Sequence, residues 1–218
     1  MTDIRTRNGG QLLMDSLVAL GATRGFGVPG ESYLAVLDAM VDHANAFDLV
    51  LCRQEGGAAY MAAAWGKLTG EPGLCFVTRG PGATNATVGI HTAMQDSVPM
   101  ILFVGQVGTD VMGREAFQEV DYTAFFGPLA KWAVQIDHVD RVPEIISRAW
   151  TVAMSGRPGP VVVALPEDML VGTSDRLPCD PVTIPEPAVP EAGAARMAAM
   201  LAAAERSVML VGGTRWTA

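Results

Sequence analysis

Hydrophobic residues along the chain fall into short continuous runs that alternate with longer segments of helical spacing. The runs predict strands over residues 24–28, 48–52, 73–78, 99–104, 132–136 and 160–165. The segments between them predict helices over 11–20, 32–43, 55–68, 81–95 and 142–153. Because the strands lack alternation and are separated by helices, we expect an α/β fold, a parallel sheet covered by helices on both faces.

One of these predicted helices also carries local signals. Ser32 is a suitable N-cap for the helix over 32–43, and Leu34, Leu37 and Val41 lie on one side of it. The pattern therefore predicts where this helix begins and suggests one apolar stripe.

The composition changes after Asp168. Five of the thirteen residues over 178–190 are proline, which predicts an extended linker. Beyond it the pattern predicts one helix over 194–204 and one strand over 208–211, too little to form a core. We therefore expect a first domain over 1–170, a linker over 171–190, and over 191–218 the start of a second α/β domain.

Charge and composition narrow the classes of function. The net charge is −8 and no basic cluster occurs, which argues against a nucleic-acid partner. No apolar run reaches the roughly 18 residues that span a bilayer, and the first eight residues lack the apolar core of a signal peptide. We therefore expect no membrane partner. Cys52, Cys75 and Cys179 are odd in number and widely spaced, which favours reduced thiols in a cytoplasmic protein.

Glu55 is the first candidate for chemistry. It follows a predicted strand and opens a predicted helix, where ligand sites of open α/β sheets lie. The next four residues are Gly or Ala, so a flat ligand or another chain can approach, and a poorly solvated carboxylate has a tunable proton affinity. The other interpretation is a first-turn glutamate that favours the helix dipole, and the residues alone leave both open.

Two further segments are ambiguous. The turn over 78–85 half matches the dinucleotide pattern G-x-G-x-x-G, but Asn85 replaces the third glycine and no acidic ribose partner follows the next strand. It is either an anion-binding turn or a tight strand-to-helix connection. The irregular segment 113–121 is either a functional loop or a solvated one.

Seven short segments, taken together and in order, resemble one enzyme family. They are VPG at 28–30, RQEG at 53–56, GPGATN at 80–85, DSVP at 96–99, GQV at 105–107, FQEVD at 117–121 and GRPGP at 156–160. The chain resembles, over about residues 10–168, the N-terminal domain of thiamine-diphosphate enzymes, and is most similar to acetolactate (acetohydroxyacid) synthase large subunits. The resemblance implies the thiamine-diphosphate-binding fold, followed by the start of the family's middle domain.

The resemblance also implies roles for individual residues. Glu55 matches the glutamate that hydrogen-bonds a ring nitrogen of the cofactor's aminopyrimidine, which promotes proton loss from the thiazolium C2 and thereby decarboxylation or carboligation of a 2-oxo acid. The residues that match cofactor-bordering positions are Pro29, Gly30, Gly80, Pro81, Gly82 and Asn85; those that match the substrate side are Phe117 and Gln118. Two residues depart from the family pattern: Glu31 stands where synthases usually carry a second glycine, and Glu167 where they carry a lysine.

The family's Gly-Asp-Gly motif does not occur in this sequence. In the family that motif lies in a C-terminal domain and binds the diphosphate with its magnesium, and the complete site forms between two subunits. The resemblance thus implies a magnesium ion held outside this chain, a homodimer, and in some members FAD. We expect no metal ligands here and an inactive chain when it stands alone. The alternative is a non-catalytic Rossmann-type nucleotide-binding or dimerisation module.

Small residues recur on two predicted helices that flank the candidate segments. They are Ala58, Ala59, Ala62 and Ala63 on the first, and Ala83, Ala86 and Gly89 on the second. The pattern predicts either close approach of the two helices or a flat subunit contact near them.

Overall fold

The protein, represented by a computed structural model that describes residues 6–212, is built on two sheets and eight α-helices. The strands are β1 (Arg7–Asn8), β2 (Arg24–Gly27), β3 (Asp48–Leu51), β4 (Gly73–Val77), β5 (Met100–Gln106), β6 (Trp132–Gln135), β7 (Pro160–Pro166) and β8 (Thr173–Ser174). The helices are α1 (Gly9–Ala19), α2 (Leu34–Asp42), α3 (Glu55–Thr69), α4 (Gly80–Asp96), α5 (Tyr122–Phe126), α6 (Val142–Met154), α7 (Glu167–Val171) and α8 (Glu191–Ala203).

The main sheet has six strands in the order β3-β2-β4-β5-β7-β6, and every neighbouring pair is parallel. Every residue of β4, β5 and β7 is buried, as expected for central strands with helices on both faces. The parallel α/β sheet predicted from the sequence is therefore confirmed. Strands β1 and β8 form a separate antiparallel pair.

Two hydrophobic cores lie on opposite faces of this sheet. One, which we call the α1 face, is built mainly of large side chains from α1, α2 and α6. The other, which we call the α3 face, takes much of its buried surface from alanines of α3 and α4. The difference in side-chain size sets how closely the helices on each face can pack.

The strand order places all the candidate segments at one edge of the sheet. Since β3 lies on one side of β2 and β4 on the other, the carboxyl ends of β2 and β4 form a topological switch point. The loops that follow β2, β3, β4, β5 and β7 all leave from this carboxyl edge because the strands are parallel. The fold thereby gathers residues that are far apart in sequence.

The start of α2 differs from its prediction. A short 3-10 turn (Glu31–Tyr33) comes first, and the Ser32 hydroxyl hydrogen-bonds the Thr78 hydroxyl at 2.9 Å instead of capping the helix. Leu34 and Val41 are exposed, whereas the buried side consists of Val36, Ala39 and Met40. The helix is apolar on both sides, so its spacing did not determine which side faces the sheet.

The C-terminal segment agrees with its prediction only in part. Helix α8 forms, although none of its residues is buried, but residues 208–211 have no regular secondary structure and are exposed. The strand predicted there is wrong, because an apolar run becomes a strand only where a neighbouring strand completes its hydrogen bonds. Part of the linker, including Val182 and Ile184, packs against the α1 face.

Candidate functional site

Glu55 lies at the carboxyl edge of the sheet as the first residue of α3. The preceding Gln54 caps this helix, since its side-chain oxygen accepts from the Gly57 amide at 2.8 Å. The Glu55 carboxylate is half-buried, and its Oε2 accepts a hydrogen bond from Asn85 Nδ2 at 3.0 Å. Asn85 belongs to the second turn of α4, so two candidate residues thirty positions apart form one polar pair.

Small residues on α3 and α4 make this pairing possible. A side chain on Gly89 of α4 would overlap the backbone and Cβ of Ala59 on α3, which shows that the helices touch at that point. Ala58, Ala59, Ala62, Ala63, Ala83 and Ala86 are all buried. Within the chain, these small residues therefore allow α3 and α4 to approach closely, which is the first of the two interpretations of the sequence.

One side of the Glu55 carboxylate is open. Its Oε1 accepts no hydrogen bond from the residues described, 6–212, and lies 3.7 Å from where a Cβ on Gly82 would stand. That same Cβ would come within 3.0 Å of Thr78 Cγ2, so glycine lets the first turn of α4 pack closely against Thr78 beside the carboxylate. The arrangement leaves one carboxylate oxygen able to accept a hydrogen bond at the carboxyl edge of the sheet, which suits a ligand that carries a ring nitrogen.

The glycine turn itself is a tight strand-to-helix connection and not an anion site. The Gly80 amide donates to the Gln118 carbonyl at 3.0 Å, and the Gly82 amide donates to the Arg79 carbonyl at 2.8 Å. Both amides that would face an anion are thus satisfied within the chain. The exposed Pro81 occupies the first turn of α4, where a missing amide hydrogen is harmless.

The loop after β5 contacts this turn through Phe117 and Gln118, the residues predicted to lie on the substrate side. Gln118 adopts a left-handed conformation with φ 63°, and its carbonyl is the one that Gly80 binds. Phe117 is 72% exposed, and the guanidinium carbon of Arg79 lies over its ring, 5.9 Å from the ring centroid. The structure thereby brings Phe117 and Gln118 beside the turn that borders Glu55.

Pro29 and Gly30 lie at the end of β2, on the other side of the turn. A Cβ on Gly30 would come within 2.7 Å of Thr78 Oγ1, so this loop packs directly against the start of the glycine turn. The buried Tyr33 supports it by donating to the Val28 carbonyl at 2.6 Å. Pro29 is exposed and makes no hydrogen bond with the other candidate residues described.

Arg79 is the residue that sequence reasoning missed. Its side chain is only 9% exposed and pairs with Glu31 at 2.5 Å and with Glu167 at 3.0 Å. The two acidic departures from the family pattern therefore share one buried cation. A signal existed, because all three residues follow strand ends at the same edge, but only the strand order shows that they meet.

The other ionisable groups near the site are poorly suited to proton transfer at neutral pH. Burial raises the pKa of the Tyr33 hydroxyl and of the Cys75 thiol, and the charge of Glu55 contributes to both shifts. Burial also raises the pKa of Tyr122 to about 12. The backbone amides of Gly113 and Ala116 lower the pKa of Glu119, which therefore stays ionised. Glu55 combines a place at the glycine turn with a carboxylate oxygen that accepts no hydrogen bond within residues 6–212.

Within residues 6–212, no group of three or more His, Cys, Asp or Glu side chains is arranged to hold a metal ion. None of the helices in the described part of the chain is long and apolar enough to cross a membrane.

An α/β domain with a carboxylate and a glycine turn at the carboxyl edge of a parallel sheet defines a class of ligand-binding domain. Residues 7–125 match the family described as "Thiamine pyrophosphate enzyme, N-terminal TPP binding domain". The chain therefore belongs to this family, and the cofactor-binding domain inferred from its motifs is confirmed. The alternative of a Rossmann-type nucleotide-binding module is not supported.

Several curated proteins are similar over most of the chain. The acetolactate synthase isozyme 2 large subunit of Escherichia coli (strain K12) is 37% identical over 206 residues, which cover 94% of this chain and 37% of that protein. The mitochondrial acetolactate synthase catalytic subunit of Aspergillus candidus is 39% identical over 80% of this chain and 25% of its own length. The acetolactate synthase large subunit of Lactococcus lactis subsp. lactis (strain IL1403) is 41% identical over 74% of this chain and 28% of its own length. The chain thus spans between a quarter and two fifths of these relatives.

Proposed function

We propose that this chain supplies the aminopyrimidine-binding half of a thiamine-diphosphate site in an enzyme that decarboxylates a 2-oxo acid or joins it to an acceptor. The observation that carries the proposal is the Glu55 carboxylate, with one oxygen held by Asn85 and the other open beside Gly82. The similarity to acetolactate synthases supports the reaction class. When bound, the cofactor supplies a carbon nucleophile and an electron sink for the 2-oxo acid.

The fit of the residues to an aminopyrimidine ring is chemical as well as geometric. A ring nitrogen needs one partner that can both donate and accept a proton, and the open Oε1 of Glu55 offers this. The Asn85 amide donates to Oε2, which fixes the orientation of the carboxylate. Gly82 adds no side chain next to Oε1, which lies 3.7 Å from where its Cβ would stand. Glu55 thus holds and exchanges a proton at the ring nitrogen.

The remaining predicted residues surround that contact in the proposal. Pro29 and Gly30 border the cofactor from the loop after β2, while Gly80 and Pro81 form the turn on which it rests. Phe117 and Gln118 face the 2-oxo acid from the loop after β5, next to the same turn.

The rest of the site is proposed to come from outside this chain. No metal-ligand cluster occurs in residues 6–212, and we propose that the diphosphate and its magnesium bind to another domain. FAD is proposed as a further cofactor of the complete enzyme. The division into a domain over 1–170, a linker over 171–190 and the start of a middle domain over 191–218 is part of the same proposal, as is a cytoplasmic location.

A homodimer is also part of the proposal, and the surface of α3 and α4 supports it. The small residues of these helices face inward, but their outer surface exposes Tyr60, Met61 and Val88. Exposed apolar side chains on adjacent helices are typical of a subunit contact. A monomer by sedimentation at tens of micromolar would contradict this part alone.

Calorimetric titration tests the cofactor assignment. The complete enzyme should bind thiamine diphosphate in preference to NAD, and Glu55→Gln should weaken or abolish the thiamine diphosphate signal without changing the melting temperature. Residues 1–218 alone should bind the cofactor weakly and should not turn over pyruvate with magnesium present, because the charged diphosphate anchor is missing. Binding of NAD instead of thiamine diphosphate would overturn the proposal.

A further inference from the structure

Arg79 occupies an unusual position for a charged side chain. It precedes the first residue of α4, and only 9% of its side chain is exposed although it carries a full positive charge. A buried charge is tolerated where it is paired, and Arg79 is paired twice: with Glu31 in the loop after β2, and with Glu167 at the end of β7. The guanidinium therefore ties together the ends of three strands.

The same residue also contacts the fourth loop of this edge. Its guanidinium carbon lies 5.9 Å from the centre of the Phe117 ring, within the range of cation–π attraction. The adjoining Gly80 amide donates to the Gln118 carbonyl at 3.0 Å. Arg79 and Gly80 thus hold Phe117 and Gln118 at two points, one through a side chain and one through the backbone.

That loop needs external support. Gln118 and Glu115 both have left-handed backbone conformations, with φ 63° and φ 55°, and a residue other than glycine adopts this region only where its surroundings favour it. Phe117 is 72% exposed, so burial of its ring does not fix the loop. Within the loop, Glu119 accepts hydrogen bonds from the Gly113 and Ala116 amides. The contacts from Arg79 and Gly80 are those that hold Phe117 and Gln118 from outside the loop.

We propose that Arg79, oriented by Glu31 and Glu167, is a positioning residue that sets the placement of Phe117 and Gln118 at the reacting end of the site. That this end of the site is where the substrate reacts rests on the proposed function, whereas the positioning of the loop follows from the contacts alone. Because the two acidic side chains are 71% and 43% exposed, they remain solvated when Arg79 is removed, so its loss does not leave buried negative charge. The Glu31–Arg79–Glu167 triad is then the means by which the ends of three strands fix the loop that follows β5.

Lysine cannot replace arginine in this arrangement. A guanidinium presents several donors in a plane that can bridge two carboxylates and stack on a ring, whereas an ammonium is a compact point charge. Arg79→Lys should therefore restore the charge but only part of the positioning. This difference separates a positioning role from a simple requirement for positive charge.

The chain offers a matched control at the opposite edge of the sheet. Arg24 pairs with Asp48 at 3.2 Å and lies 5.3 Å from the ring centroid of Trp65. It thus makes the same two kinds of contact as Arg79, an ion pair and a cation–π contact, at the amino ends of β2 and β3. Arg24→Met removes them far from the loop that carries Phe117.

Amide hydrogen exchange of the whole protein, read by mass spectrometry, tests the proposal without cofactor. In Arg79→Met, peptides covering residues 113–119 should exchange at least about tenfold faster, with peptides of β5 and β7 unchanged, since local opening depends on local contacts. Arg79→Lys and the double variant Glu31→Gln with Glu167→Gln should give smaller increases at the same peptides. Arg24→Met should leave residues 113–119 unchanged.

Kinetics with pyruvate provides the second measurement. Arg79→Met should lower kcat/KM by roughly 10- to 100-fold, the size of effect expected when a reacting group is displaced by about an ångström, while proton exchange at the cofactor C2 stays near wild type. Unchanged exchange at 113–119, or a uniform increase across all peptides, would overturn the positioning role. If Arg79→Met fails to fold, the double variant Glu31→Gln with Glu167→Gln, which keeps the guanidinium, tests the proposal instead. The measurement is again the exchange rate of peptides covering residues 113–119. Absence of any activity in the complete wild-type enzyme, with the diphosphate-binding domain, thiamine diphosphate and magnesium present, would instead count against the proposed function and leave the exchange result standing.

Discussion

The two faces of the central sheet are packed in different ways. On the α1 face, α1, α2 and α6 bury leucines, methionines and Trp150. On the α3 face, α3 and α4 bury mostly alanine and glycine. Large side chains bury more apolar area per residue and stabilise more, whereas small ones let two helices touch. The α3 face has the geometry that a site needs, since its close packing places Asn85 against Glu55.

If the α3 face exists to position Glu55, the largest effect should follow from changing that carboxylate. Glu55→Gln keeps the shape but removes reversible proton exchange, so we expect proton–deuterium exchange at the cofactor C2 to slow by roughly 100- to 10,000-fold. The measurement is made by NMR in the complete enzyme with thiamine diphosphate bound.

The same variant distinguishes the alternative role of Glu55. A glutamate that only favours the helix dipole contributes about 0.3 to 1 kcal/mol of stability and nothing to the exchange rate. A lowered melting temperature with unchanged C2 exchange would therefore assign Glu55 to the helix, and the α3 face would lose its functional distinction.

The α1 face should instead respond in stability, and with a defined pH dependence. Burial acts to raise the pKa of Asp15, but hydrogen bonds from Arg7 and His43 outweigh it and hold the pKa below its usual value of 3.8. Because the folded pKa is depressed, the stabilisation is complete above the unfolded value and is lost as pH falls through the folded one. Asp15→Asn should cost about 3 kcal/mol at pH 7.

This cost should shrink as the pH is lowered below about 4. Urea unfolding of both proteins at pH 7 and pH 3 measures it, with Lys67→Met as a control, since Lys67 pairs with Asp96 where both side chains are about half exposed. A difference that is the same at both pH values would show that the Asp15 carboxylate is not stabilised in its charged form.

Close packing on the α3 face gives a smaller prediction, also in stability. Gly89→Ala places a methyl group against Ala59, and such overpacking costs about 1 to 3 kcal/mol. Gly57→Ala is its matched control on α3, because the nearest atom to the added methyl group is Gln54 Oε1 at 3.8 Å, and it should be neutral or stabilising by up to about 1 kcal/mol. Equal destabilisation by the two changes would mean that the helices are not in the contact described.

The parts of this molecule that sequence predicted well are those set by local pattern. Continuous apolar runs identified β4, β5 and β7 because buried parallel strands need no polar side. The hydrophobic pattern gave wrong predictions where the outcome depends on contacts with residues far away in the sequence. Helix α2 is apolar on two sides, and only its position on the sheet determines that Val36 and not Leu34 is buried.

The site shows the same division between local and remote information. Glu55 and the turn at Gly80 were identifiable because each lies between a strand and a helix. The Glu55–Asn85 hydrogen bond depends on the distance between two helices, and the ion pairs of Arg79 depend on the order of strands in the sheet. Neither quantity has a local signature, so both pairings required the structure.

The smallest expected effect concerns Asn85, the residue of α4 that hydrogen-bonds Glu55. Its amide is exposed and donates one hydrogen bond to Glu55 Oε2, and a hydrogen bond of this kind contributes about 0.5 to 1.5 kcal/mol. Asn85→Ala should therefore slow C2 exchange by about 2- to 10-fold, because the carboxylate loses its orientation but keeps its proton chemistry.

A second substitution at this position shows whether orientation or charge matters. Asn85→Asp would place another carboxylate about 3.0 Å from Glu55 Oε2, and two such groups cannot both ionise easily, so the pKa of the pair would rise. The rate of C2 exchange in Asn85→Asp should then change with pH over a range in which the rates of the wild type and Asn85→Ala stay constant. If Asn85→Ala and Asn85→Asp behave alike at every pH, the side chain at 85 does not act on Glu55, and the close approach of α3 and α4 serves packing alone.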